Sequence, residues 1–497
     1  MKRRDFIKLS SAAGVVGIVG PNIDASSITN DTSVASAQDV VLVGPEDGPN
    51  EPFGKARGVK PGLVVWAWNP DATNENCKSV IGDWYFAPQN TNGVVVGKMV
   101  ADMIKKVGGS QNSSEAWDAL FKEFNKTKLG VSKGYTNGEK IILKINQGTS
   151  GWSLSAAEKE RGYEAPNELK EGERTGYRGP LETGPYVVLE LLRQLVNEAG
   201  VKQENIYVGD PMKSTFKHNF DVWYAEFPNV NYTDPRSDRF NRFVVKPTEE
   251  ELLFYSDKRI KDKLVDVIVS ADYMINVSSL KPHGSAGMSI VAKNHFGSHG
   301  RGGASHLHYS VVAPLWESNP RQVGNPSNGG YKKYRVFVDL LGSKYLGGNT
   351  MLCVVDGLFG GGTDETRGPV KYFMQPFNGN WSNSIFMSQD QIAIESVCYD
   401  FLRNEWDGSH KHDPSNSVFE EVSNMRGIDD HLHQAADSRN WPDGIVYDPD
   451  NSGKPLTSLG VHEHWNNPID KQYSGNLGKP NGITLVSIPE NLVKGIN

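Results

Sequence analysis

The sequence predicts an α/β protein with a largely parallel open sheet, helices on both faces and an irregular C-terminal extension rich in His and Trp. Three observations carry this prediction. Short apolar runs that end on a polar residue alternate with amphipathic stretches at helical spacing, which is the pattern of strand–helix–strand units. The apolar fraction is 37%, with 11 Trp, 18 Tyr and 19 Phe, enough for a core of domain size. Glycine reaches 52 of 497 residues, as many tight connections require.

Taken in order, Leu63–Trp68 reads as the first strand. Val94 to Lys106 has helical spacing and stops at Gly108-Gly109; Glu115 to Lys126 follows, with Ser113 or Ser114 as its cap. Lys140 to Asn146 is a buried-strand pattern. The charged stretch from Ala156 to Arg178 reads as an inserted loop. Pro185 then opens a helix whose apolar periodicity runs from Val187 to Ala199. Strands are expected at Asn205–Gly209, Val265–Ser270, Tyr273–Val277 and Met351–Val355. Helices are expected at Ser285–His295, Tyr334–Leu346 and Asp390–Glu405. The boundaries are residues 1–37 for an export signal, 38–60 for a linker, 61–405 for the α/β core and 406–497 for the extension.

The N-terminus carries its own message. Arg3-Arg4 followed by Phe6-Ile7-Lys8, a weakly apolar run from Leu9 to Val19 and the small-residue site Ala35-Ser36-Ala37 match a twin-arginine signal. This predicts a periplasmic or secreted protein of about 460 residues, handed folded to the twin-arginine translocase. The apolar run is shorter than the roughly 20 residues of a membrane span, so no stable membrane insertion is expected. Folding before export favours loading a divalent transition metal in the cytoplasm, because first-row metals otherwise compete by intrinsic affinity. The net charge of -7 argues against nucleic acid as a partner. Cys77, Cys353 and Cys398 are too few for a standard iron–sulfur cluster.

Ligands of open parallel sheets sit beyond the carboxyl ends of the strands. That rule gathers Asn146, Asp210, Lys281, His283 and Asp356 on one rim. The segment Leu280-Lys281-Pro282-His283-Gly284-Ser285 to Lys293-Asn294-His295-Phe296-Gly297 packs glycines and polar groups into a strand-to-helix junction. If Ser285 to Met288 begin a helix, their amides form an anion site. Lys281, His283, Lys293 and Asn294 are the candidate catalytic groups, and Lys144, Asn146, Asp210 and Asp356 the candidate substrate-binding groups.

These segments resemble the bacterial family called domain of unknown function 362. The resemblance rests on Lys144-Ile145-Asn146, Val208-Gly209-Asp210, the block from Lys281 to Gly297, and Ser388 to Glu395. Gln391 and Glu395 stand where proline and aspartate are usual, and no ferredoxin-like cysteine cluster is appended. The resemblance implies the fold and the location of the site, and no reaction.

All but one of the 12 histidines lie between residues 283 and 464. Eight form H-x-H pairs: His306/His308, His410/His412, His431/His433 and His462/His464. On a strand, such a pair faces one side and can grip a metal; on a helix, as expected for His431/His433, it diverges. His462 and His464, and the group His283, His295 and His299, are the preferred metal candidates. Asp448-Pro449-Asp450-Asn451-Ser452-Gly453 matches the start of a calcium loop but lacks its twelfth-position glutamate, leaving structural calcium at Asp448 and Asp450 beside an ordinary Asx-turn. The sequence thus points to an exported metal-dependent enzyme acting on a small anionic or hydroxylated substrate. The alternative is a periplasmic protein that binds such a ligand without chemistry.

Overall fold

Side-chain alternation along the strands sorts the core into two layers. In the strand Leu63–Trp68, Leu63, Val65 and Ala67 face one layer while Val64 and Trp66 face the other. The computed structural model describes residues 48–494 apart from 81, 151–180, 236–240, 313–328, 363–367, 408, 411 and 413–426. The proposed signal, the first part of the linker and the charged stretch 156–178 lie outside the described residues.

Nine strands build the central sheet: β1 (Leu63–Trp68), β2 (Ile141–Ile145), β3 (Ile206–Gly209), β4 (Asn231–Asp234), β5 (Phe243–Val244), β6 (Tyr273–Ser279), β7 (Thr350–Gly357), β8 (Ser384–Ser388) and β9 (Thr484–Ile488). Their spatial order is β9-β1-β8-β7-β6-β2-β3-β4-β5. Every neighbouring pair is parallel except the two made by β8, which runs antiparallel between β1 and β7. The carboxyl ends of β2, β3, β6 and β7 therefore open on one edge.

Helices α1 (Gly93–Gly108), α2 (Ser113–Leu129), α3 (Pro185–Arg193) and α4 (Lys217–Glu226) cover one face, burying Val96, Trp117, Leu191 and Trp223 against Val65, Leu143 and Val354. Asn112, rather than either serine, caps α2 by accepting from Glu115 N at 3.1 Å. The other face carries α5 (Val291–Asn294), α6 (Val336–Gly342), α7 (Gln391–Glu405) and α8 (Asp430–Ala436). Asp390 caps α7 through the amides of Ile392 and Ala393, and its other oxygen accepts from Arg57 N. It thereby ties the segment before β1 to the start of the helix.

Two local expectations give way, and a third gains detail. Residues 285–295 do not form one helix: Pro282–His283 pairs with Gly287–Met288 as a small antiparallel hairpin, and only Val291–Asn294 is α-helical. Gly287 at φ +81° supplies the turn geometry that a helix start would forbid. The strand expected at 265–270 is a helical turn over Asp266–Val269, preceded by the strand Lys261–Val265. The C-terminal part is largely irregular, yet it contributes the edge strand β9 and the helix α8.

Candidate functional site

The rim is built from strand ends. Lys144, on β2, is fully buried, and its ammonium donates to Ile145 O at 2.7 Å and Asn294 Oδ1 at 2.9 Å and pairs with Asp210 Oδ1 at 3.4 Å. Burial lowers its pKa, against the opposing pull of Asp210. Asp210 Oδ2 accepts from Gln147 N at 3.1 Å. Asn294 Nδ2 donates to Asn276 Oδ1 at 2.8 Å, and Asn276 Nδ2 reaches Val291 O and His295 Nε2. Gly297 is required here, since a Cβ would stand 2.0 Å from Asp210 Oδ1.

Lys281 faces another direction. It donates to Leu181 O at 2.5 Å and pairs with Glu182 at 3.1 Å, both buried. Gly361 lets the loop after β7 close over Lys281, whose Cβ would lie 2.4 Å from an added methyl; the glycines 360–362 serve packing here. Asp356 accepts from Gly184 N at 3.0 Å and Leu358 N at 3.2 Å, and burial raises its pKa to about 6. Asn146 holds Thr183 through its backbone. Lys293 lies 3.9 Å over the Phe296 ring. His283 Nδ1 accepts from Ser285 N and Ala286 N, so these amides serve the imidazole instead of a helix-start anion site. Burial, helped by Lys293 and Lys281, depresses its pKa well below the usual histidine range.

A different part of the chain gathers metal-type ligands. Asp429, His433, His462 and His464 are all buried, with their ligand atoms within 4.8 Å of one another. Asp429 precedes α8 and His433 lies on it, four residues on and so on the same helical face. His462 belongs to the short strand Val461–His462, which pairs with Phe53–Gly54, and His464 follows two residues later. Asp429 Oδ2 is 3.5 Å from His464 Nε2 and 3.8 Å from His433 Nε2. Metal–ligand bonds near 2.0–2.1 Å in a tetrahedron give ligand–ligand edges of about 3.3 Å, so these separations nearly match a coordinated ion.

The surrounding hydrogen bonds set the sense of the imidazoles. His464 Nδ1 bonds the Asp400 carboxylate at 2.8 Å, and Asp400 also accepts from Trp465 N and Tyr473 OH. Ser396 Oγ donates to Ile392 O and therefore accepts from His462 Nδ1 at 2.8 Å. In their neutral form both rings then carry the proton on Nδ1 and offer Nε2 as the acceptor nitrogen. A ligand imidazole backed by a carboxylate is the usual arrangement behind a bound metal. Burial alone would raise the Asp429 carboxyl, but the imidazoles of His464, His433 and His462 around it hold it well below the usual range.

The structure thus places His462 and His464 together with two residues that the sequence reading missed. The spacing Asp429-x-x-x-His433 was a readable signal. His433 was discounted because its pair partner diverges, and His431 does point away, to Glu395 Oε2 at 2.7 Å. His283, His295 and His299 are not brought into one ligand set among the described residues. His299 lies near Asp262 and His306. There, however, Asp262 is already engaged by Arg301, His306 and Tyr255, and His299 Nδ1 accepts from Arg301 N. That trio is a hydrogen-bonded cluster whose acceptors already have donors. Asp448 accepts from the Ser452 and Gly453 amides of its own loop, while Asp450 accepts from Lys344 N across 106 positions, so both carboxylates already serve backbone amides.

A mixed sheet with a polar carboxyl edge and a buried His/Asp group able to hold a metal ion defines the class of the protein. Residues 175–400 match the family model described as Domain of unknown function (DUF362), which supports the resemblance read from the sequence. The rim from Asp210 to Asp356 falls inside that match, while Asp429, His433, His462 and His464 lie beyond it. No curated protein matches the chain.

Proposed function

We propose that this chain is an exported metal-dependent enzyme acting on a small anionic or hydroxylated substrate, with a divalent transition ion bound by Asp429, His433, His462 and His464. One observation carries the metal assignment. Four buried groups, Asp429, His433, His462 and His464, bring one ligand atom each to within 4.8 Å of one another, and the Asp400 carboxylate backs the His464 ring. Three imidazoles and one carboxylate suit zinc, iron, cobalt, nickel or manganese better than calcium. The twin-arginine pattern supports export, and the rim supports substrate binding at the sheet edge.

The test is elemental analysis of protein recovered after export beside protein made only in the cytoplasm, with His433→Ala and His462→Ala variants of each. A stoichiometric transition metal, lost in both variants, is the expected result. Folded wild type without transition metal would overturn the assignment. The second reading, ligand binding without chemistry, is favoured by the saturation of Lys144 and Lys281 with protein acceptors. It predicts ligand affinity that survives chelation and no turnover.

A further inference from the structure

We propose that the rim around Asp210 recognises the oxyanion of its ligand, a carboxylate or phosphate group, through N–H donors of Gln147, His295 and His299. This rests on the reading of the rim as the substrate face and adds the chemical class of the group bound there. The argument begins with hydrogen-bond direction. Asn276 Oδ1 accepts from Asn294 and its Nδ2 donates to Val291 O, which fixes the amide. The same Nδ2 then donates to His295 Nε2, so the neutral His295 carries its proton on Nδ1. His299 Nδ1 accepts from Arg301 N, so its proton sits on Nε2. Gln147 Oε1 accepts from Phe216 N, so Nε2 is a pure donor.

Each of these three donor atoms, His295 Nδ1, His299 Nε2 and Gln147 Nε2, is buried and has no acceptor among the described residues. The hydroxyls of Thr149 and Ser298 share that condition; of the rim's acceptors, Asp210 Oδ1 has only the Lys144 ammonium at 3.4 Å, and Asn146 Oδ1 has no hydrogen-bond donor among the described residues. A buried donor left without a partner costs roughly 1–3 kcal/mol, so several at one strand edge call for an acceptor beyond the described residues, which a bound ligand supplies. They share a neighbourhood: Gln147 N bonds Asp210, Gly297 abuts Asp210, and His295 and His299 flank Gly297 by two residues on either side. Lys144 adds a positive charge beside Asp210. Burial holds both histidines neutral, with pKa values lowered to about 3. N–H donors repel a metal ion and attract oxygen lone pairs. The rim histidines therefore act in the opposite sense to those near Asp429: they offer protons, where His462 and His464 offer lone pairs.

The experiment is calorimetric titration of the metal-loaded full chain with inorganic phosphate and, separately, with acetate, for wild type and Gln147→Glu. The glutamate keeps the shape and replaces donors by acceptors. Binding of one or both anions, weakened at least tenfold in Gln147→Glu with metal content unchanged, is expected. The two arms show which oxyanion is preferred. Nitrogen-15 NMR of the imidazoles supplies an independent reading, with protonation on Nδ1 of His295 and Nε2 of His299 expected. Absence of binding by both anions, equal binding in Gln147→Glu, or the reverse tautomers would overturn the proposal. Anion binding by a chain that holds no metal would sustain it while removing the metal reading.

Discussion

Replacing Asp400 by Asn tests the proposed metal centre without touching a proposed ligand. The Asp400 carboxylate is buried and uses both oxygens: Oδ1 for His464 Nδ1 at 2.8 Å and Arg403 at 3.0 Å, Oδ2 for Trp465 N at 3.0 Å and Tyr473 OH at 2.9 Å. Burial would raise its pKa, but His464 and Arg403 outweigh this and keep it ionised. An asparagine has only one accepting end. With its oxygen toward Trp465 and Tyr473, its NH2 faces His464 Nδ1 and drives the proton to Nε2, where it points at Asp429 in place of the ion. With the amide reversed, the tautomer survives but Trp465 N loses its acceptor. Loss of such a supporting carboxylate typically lowers metal affinity 10- to 100-fold, or about 1.4–2.8 kcal/mol. Competition of the apoprotein against a chromophoric chelator for zinc or cobalt measures this directly. Arg403→Ala, which removes a half-exposed partner of the same carboxylate, should shift the affinity far less. An Asp400→Asn protein that folds and binds the ion within twofold of wild type would refute the account of the centre.

Other outcomes follow from the same contacts. His433→Ala should abolish metal uptake, whereas His431→Ala should retain it and lose about 1–3 kcal/mol by leaving Glu395 short of a buried partner, as elemental analysis and denaturant unfolding can separate. Lys144→Met should destabilise by about 3–5 kcal/mol, read from urea melts, because it strands the buried Asp210. Buried His218 and His295 have pKa values lowered to about 3, so the unfolded chain binds more protons below its own value near 6.5. Stability should therefore fall as pH drops, by about 2.5 kcal/mol for each histidine between pH 6 and 4, and His218→Gln should flatten that slope. Asp356, raised to about 6, acts with the opposite sign, and Asp356→Asn should gain relative to wild type as pH rises from 4 to 7.

Much of the sheet was legible because buried parallel strands are continuous apolar runs. Leu63–Trp68 and Ile141–Ile145 declare themselves in this way. Ser384–Ser388 and Thr484–Ile488 do not: the first is bounded by serines, the second carries Ser487 within it, and both are set among polar loops, so only their neighbours in space define them as strands. Lys144, Asp210 and Asp356 do stand at strand ends, whereas His283 falls in a hairpin, and the partners were invisible, since Lys144 meets Asn294 across 150 positions. In the C-terminal part, the H-x-H rule found His462 and His464 because that stretch is extended. It hid His433, whose helical register couples it to Asp429 and not to His431.

Gln472 has a consequence for the topology of the chain. Asn50 Nδ2 donates to its main-chain oxygen at 2.8 Å, and its own side-chain amide donates to Lys494 O at 2.7 Å. Positions 50 and 494 thus meet on one residue, beside the seam where β1 and β9 lie parallel. A short linker between them, with a new opening in the loop that separates α1 from α2, would give a circular permutant in which these two strands become near neighbours in sequence. Such a rearranged chain would keep Asp429, His433, His462 and His464 and convert its longest-range strand pairing into a local one, which loop-closure entropy predicts will speed assembly of that edge.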